Sequence, residues 1–132
     1  MSDPSLRFTQ GMAMRRKVLG DAYVDVAMAN TTPFTAEFQT LITETAWGSV
    51  WSRPNISPRE RSMITIALLA AQGQDDEVAM HVRATSTTGA SLDDIKEALL
   101  HVAIYAGVPA ANHAFKIAAK TYAAMKEEVT HA

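Results

Sequence analysis

Ser57-Pro58-Arg59-Glu60, followed by Arg61-Ser62-Met63-Ile64-Thr65-Ile66-Ala67-Leu68-Leu69-Ala70-Ala71, decides the fold class. Ser57 is an N-cap residue, Pro58 sits at the first helical position and Glu60 at the third, so both halves of a capping box are present. The helix they open carries Ile64, Ala67, Leu68 and Ala71 and stops near Gly73. Downstream, Asp75, Asp76 and Glu77 place carboxylates where a helix macrodipole favours them. That next helix carries Val78, His81 and Val82 and ends at Gly89. Ser91-Leu92-Asp93-Asp94 opens another, whose stripe Leu92, Ile95, Leu99, Val102, Ala106 has helical period. Gly107 closes it, and Pro109 lies in the first turn of a last helix bearing Ala111, Phe115, Ala118, Ala119, Tyr122 and Met125.

Upstream the signals are weaker. Ser5 to Leu19 reads as a helix ending at Gly20. Thr32-Pro33 opens another with Phe34, Phe38, Leu41, Ile42 and Ala46 on one side. Trp47 to Trp51 continues that helix or makes a short second turn before Arg53-Pro54. No run alternates apolar and polar residues as a strand does. The expectation is an all-α protein, a compact bundle of about six helices with short connections, forming a single domain over residues 1–132.

Composition excludes several classes. The 132 residues are 48% hydrophobic and 20% charged, an ordinary globular balance. Twelve basic residues against fourteen acidic ones give a net charge of −2, so the basic footprint of a nucleic-acid binder is missing. There is no cysteine, which removes disulfides, thiolate metal sites and thiol redox chemistry together. The first ten residues have no apolar core of a signal peptide. The stretch Met63–Ala71 is far short of the ~20 residues needed to cross a bilayer. A cytoplasmic protein with no membrane and no nucleic-acid partner is expected.

Four histidines are available: His81, His101, His113 and, near the end of the chain, His131. Glu77 precedes His81 by four residues and Glu97 precedes His101 by four, so each carboxylate can face its imidazole on a helix. A carboxylate on one ring nitrogen fixes the tautomer and raises basicity, which suits a general acid or base. The same pairing is also an ordinary surface contact worth a few tenths of a kcal/mol. Neither pair has the Glu-x-x-His spacing of di-iron bundles, and His-Glu-x-x-His is absent, so no metal is expected. Gly-x-Ser-x-Gly and a glycine-rich phosphate loop are missing as well. Arg15, Arg16, Arg53, Arg59, Arg61 and Arg83 could grip a carboxylate in a bidentate fork, or could serve as solvated salt-bridge partners.

Trp47-Gly48-Ser49-Val50-Trp51-Ser52-Arg53-Pro54 and Tyr105-Ala106-Gly107-Val108-Pro109-Ala110-Ala111-Asn112 resemble signatures of the carboxymuconolactone decarboxylase family, within the alkylhydroperoxidase-D-like superfamily. Gly11 to Gly20, Arg61 to Ala67 and Glu77 to Arg83 fit the intervening segments in order, over nearly the whole chain. The resemblance implies an all-helical homo-oligomer, trimeric or hexameric. It implies conversion of gamma-carboxymuconolactone to beta-ketoadipate enol-lactone and CO₂ in protocatechuate breakdown. Superfamily relatives carry Cys-x-x-Cys with a histidine four residues later. Here those cysteine positions fall on Gln74 and Glu77 and the histidine on His81, so the histidine is kept without either thiol. Thiol peroxidase chemistry is thereby excluded.

The implied substrate is a small unsaturated lactone with two carboxylates. Electrons released with CO₂ can run through its double bond onto the carbonyl oxygen, so no cofactor is required. The protein must hold the retained carboxylate, stabilise charge on the lactone oxygen and deliver a proton to carbon. His81, oriented by Glu77, is the expected proton donor or oxyanion partner, lying on a largely polar helix face. Arg15, Arg53, Arg61 and Arg83 are candidates for the carboxylate. Trp47, Trp51 and Tyr105 are candidates for an apolar surround of the departing one. Another activity in the same pocket, or a non-catalytic oligomeric binding protein, are the alternatives.

Overall fold

The computed structural model describes residues 5–131, with side chains described through residue 129; the His131 side chain falls outside that range. Among the described residues there are seven α-helices and one π-helix, and no strand. The helices are α1 (Leu6–Leu19), α2 (Asp21–Ala29), α3 (Ala36–Ile42), a π-helix (Thr43–Trp51), α4 (Pro58–Ala71), α5 (Asp75–Thr88), α6 (Leu92–Tyr105) and α7 (Val108–His131). They fall into two compact units, residues 1–56 and 57–132.

The second unit follows the rules read from its caps. Ser57 accepts from the Glu60 backbone while Glu60 reaches back, and Ser91 and Asp94 repeat the arrangement at α6. Gly89 closes α5 with φ of 87°, the left-handed conformation that glycine enters without Cβ strain. Ile66 and Ala70 from α4 meet Val78 and Val82 from α5, Ile95, Leu99 and Val102 from α6, and Ala111, Ala114 and Ala118 from α7. Each buried branched side chain there contributes about 1.5–3 kcal/mol, and the alanines let α7 approach closely. Arg59 grips Asp94 through two bonds of 2.7 and 2.6 Å, tying the start of α4 to the start of α6. That grip, with the Ser91 backbone, holds the Asp94 carboxyl far below the usual range.

The first unit is built differently. The helix α1 packs against the π-helix, and glycine makes the approach possible. A Cβ on Gly11 would stand 2.0 Å from the Thr43 carbonyl oxygen, and one on Gly48 2.5 Å from the Arg7 carbonyl oxygen. Both are closer than any real Cβ contact, so backbone lies against backbone at this crossing. Hydroxyls donate to carbonyls five residues back, Ser49 to Glu44 at 3.2 Å and Ser52 to Trp47 at 2.6 Å, matching the wider π winding.

Two expectations are corrected. The count of about six helices omitted α2. Gly20 ends α1 as expected and, with φ of 91°, also stands at the start of α2. Arg16 then fastens the corner through Asp21 and Asp25, at 3.1 and 2.8 Å. The stretch Trp47–Trp51 does continue the preceding helix, but with π rather than α winding.

Candidate functional site

His81 lies on α5 beside Val78 and Val82 of the core and is only 6% exposed. The expectation of a largely polar face is therefore wrong: Val78, His81, Val82, Ala84, Thr85 and Thr88 form a broad buried arc. Burial pushes the His81 imidazole down to about 4, because a charged ring there would lose its hydration. The raised basicity expected from a carboxylate is likewise corrected. Glu77, one turn earlier, is exposed in the acidic first turn of α5. Its charge sits where the helix dipole favours it.

Elsewhere in the second unit, Arg83 is exposed and pairs with Glu128 at 3.1 Å. It borders a mixed polar cleft of about 350 Å³ with Asp75, Asp76 and His113. Arg61 is half-buried in α4. Tyr105 is 85% exposed at the end of α6, its ring parallel to that of His101 with centroids 6.3 Å apart. An apolar groove of about 390 Å³ between α6 and α7, lined by Ile95, Phe115 and Tyr122 among others, contains none of the catalytic or binding residues expected from sequence.

In the first unit, Trp47 and Trp51 are buried on the π-helix with ring centroids 5.2 Å apart and planes tilted by 30°. Arg53 is exposed just beyond them. Arg15, on α1, is 5% exposed. Its Nη1 donates to Gln39 Oε1 at 3.0 Å and to Thr43 Oγ1 at 3.3 Å, while Thr43 donates in turn to the Gln39 carbonyl at 2.7 Å. Burial lowers the Arg15 guanidinium from its ordinary value, with Tyr23 opposing. Gln39 and Thr43 were not anticipated. Their only signal is that they stand four residues apart, on one helical face. No cluster of three or more His, Asp or Glu side chains suited to a metal occurs among the described residues.

These elements are those of an all-helical enzyme family. The chain belongs to the carboxymuconolactone decarboxylase family, which it matches over residues 36–120. It is 42% identical to a 4-carboxymuconolactone decarboxylase of Acinetobacter baylyi, over 88% of this chain and 87% of that one. It is 41% identical to a nitrosuccinic acid decarboxylase of Metarhizium robertsii, over 86% of this chain and 80% of the relative. A 4-carboxymuconolactone decarboxylase of Pseudomonas putida is 46% identical over 35% of this chain and 96% of that sequence. No helix among the described residues is long and apolar enough to cross a membrane.

Proposed function

We propose that this protein is a carboxy-lyase of the cytoplasm that decarboxylates gamma-carboxymuconolactone to beta-ketoadipate enol-lactone. The observation that carries the reading is its likeness, across most of both chains, to a 4-carboxymuconolactone decarboxylase. The family match also crosses the boundary between the two units, which supports a single functional domain.

The burial of His81 supports one of the two roles open to it. With a pKa of about 4, roughly one ring in 10³ carries the extra proton at neutral pH. A standing imidazolium is therefore a poor proton store. A neutral imidazole still has one N–H donor, and such a donor can polarise a carbonyl in a dry site. His81 accordingly donates a hydrogen bond to the lactone oxygen as CO₂ leaves and charge collects there. Glu77 acts at a distance, through the helix terminus. An arginine among Arg15, Arg53, Arg61 and Arg83 holds the retained carboxylate. Trp47, Trp51 and Tyr105 supply apolar surface for the departing one. The carbon is reprotonated by water or by another group.

The near-equal likeness to a nitrosuccinic acid decarboxylase favours a second substrate reading. A nitro group takes electrons from the breaking C–C bond as readily as an unsaturated lactone does, so both named acids suit a site that supplies donors and no cofactor. Incubating the pure protein with each acid and following CO₂ release decides the matter. Release from the lactone at catalytic rates upholds the main reading; release from nitrosuccinate alone replaces it, and release from neither overturns both.

The enzyme works as a homo-oligomer, trimeric or hexameric. The support is large apolar surface left open within each unit: Phe34, Phe38 and Leu41 in the first, and Leu100, Ile104, Tyr105 and Val108 in the second, with Phe34 at 94% exposure. Large apolar side chains exposed in such numbers support association. Light scattering giving only monomer mass at micromolar concentration would rule this out.

A further inference from the structure

Three of the arginines hold carboxylates. Arg16 meets Asp21 and Asp25, Arg59 meets Asp94, and Arg83 meets Glu128. All three are at least partly open to solvent. Arg15 is the reverse case: it is 5% exposed, and both its hydrogen bonds run to neutral oxygens, on Gln39 and Thr43. Both leave from Nη1. Nε is buried and has no hydrogen-bond partner among the described residues. A guanidinium cannot escape burial by losing its proton, and buried charges are normally paired. The side chain is held in place on one edge and, among the described residues, has no anion on the other.

We infer that Arg15 is the residue that binds the carboxylate the substrate keeps, through its Nε and Nη2 edge. That edge presents two parallel N–H groups, the fork that matches the two oxygens of a carboxylate. Gln39 and Thr43 fix the guanidinium plane before the ligand arrives, so little side-chain entropy is lost on binding. The retained carboxylate is assigned, and not the departing one, because charge on the departing group disappears as CO₂ forms. A cation gripping that group would stabilise the ground state more than the transition state and slow the reaction. The inference rests on the decarboxylase reading for the identity of the ligand, but the carboxylate site itself does not depend on it.

The test compares native protein with Arg15→Met and Arg15→Lys, using fumarate as a small dicarboxylate probe alongside the lactone. Methionine fills a similar volume without charge, and lysine keeps the charge without the fork. Calorimetry should show fumarate affinity falling about tenfold or more in Arg15→Met and by less in Arg15→Lys. Fumarate should compete with the lactone, and KM should rise more than kcat falls. Without ligand, Arg15→Met should melt at the same temperature or higher, since an uncompensated buried charge is gone. A large drop in its melting temperature, with fumarate affinity and KM unchanged, would make Arg15 a structural residue and overturn the assignment. Fumarate that binds through Arg15 without competing with the lactone would show a separate anion site, also against the assignment. So would a native protein that binds no fumarate and a variant whose KM does not move. If the native protein releases no CO₂ from the lactone, the decarboxylase reading fails, and fumarate lost on Arg15→Met still upholds the carboxylate site.

Discussion

Helices α5 and α6 carry the same local pattern and put it to opposite use. Glu77, Val78, His81 and Val82 on one are matched by Glu97, Ala98, His101 and Val102 on the other, at equal spacing. The apolar members are buried on both helices. Beyond them the helices part company. On α5 the covered arc widens to take in His81, Thr85 and Thr88. On α6 it stops at Val102, leaving His101 and Tyr105 in the open, stacked on each other. Spacing aligns side chains on a helix; tertiary cover decides what each becomes. His81 ends up buried beside the core side chains of α5, and His101 stays exposed on α6.

The largest expected effect tests that division directly. Replacing His81 with Asn or Ala should lower turnover of the lactone by about 10² or more, if its N–H stabilises the developing charge. The same change at His101 should leave turnover near normal. Asn is the cleaner variant, because Ala at a buried position also opens a cavity. Steady-state kcat for the four proteins settles it, and a loss at His101 with none at His81 would invert the comparison.

A second effect concerns stability. The folded pKa of His81, about 4, lies below the ordinary histidine value of 6.5. Between those values the unfolded chain binds more protons than the folded one, so the stability that neutral His81 contributes is full above about 6.5. It is lost as pH falls through 4. The loss is at most about 3 kcal/mol. Denaturant unfolding at pH 7 and at pH 4.5 should show this slope in the native protein and a shallower one in His81→Gln. Smallest of all, Glu77→Gln should change turnover by less than about threefold, since an exposed helix-end charge is worth only a few tenths of a kcal/mol to 1 kcal/mol. A loss comparable to that at His81 would show that Glu77 reaches the ring during catalysis.

Much of the second unit was legible because its helix boundaries are written in local chemistry. Ser57 with Glu60, Ser91 with Asp94, and Gly89 each act within a turn of their own position. The first unit hides its construction. The nine residues of α2 bury only Val24, too little apolar periodicity to announce a helix. The π-helix at 43–51 packs against α1, a contact with no local signature. The same holds for the chemistry. Residue types named His81 and Arg15 as candidates, but spacing could not separate His81 from His101. Charge could not separate Arg15, held by Gln39 and Thr43 away from any carboxylate, from Arg16 one position on, which meets two.

The contact of Gly11 and Gly48 also has a meaning in time. Backbone lying on backbone cannot be loosened by a side chain changing rotamer; it opens only when α1 lifts away as a piece. Amide hydrogens at this crossing should then exchange with solvent as a group, at a rate set by one detachment event, so that the protection of residues 43–51 becomes a clock for the docking of α1.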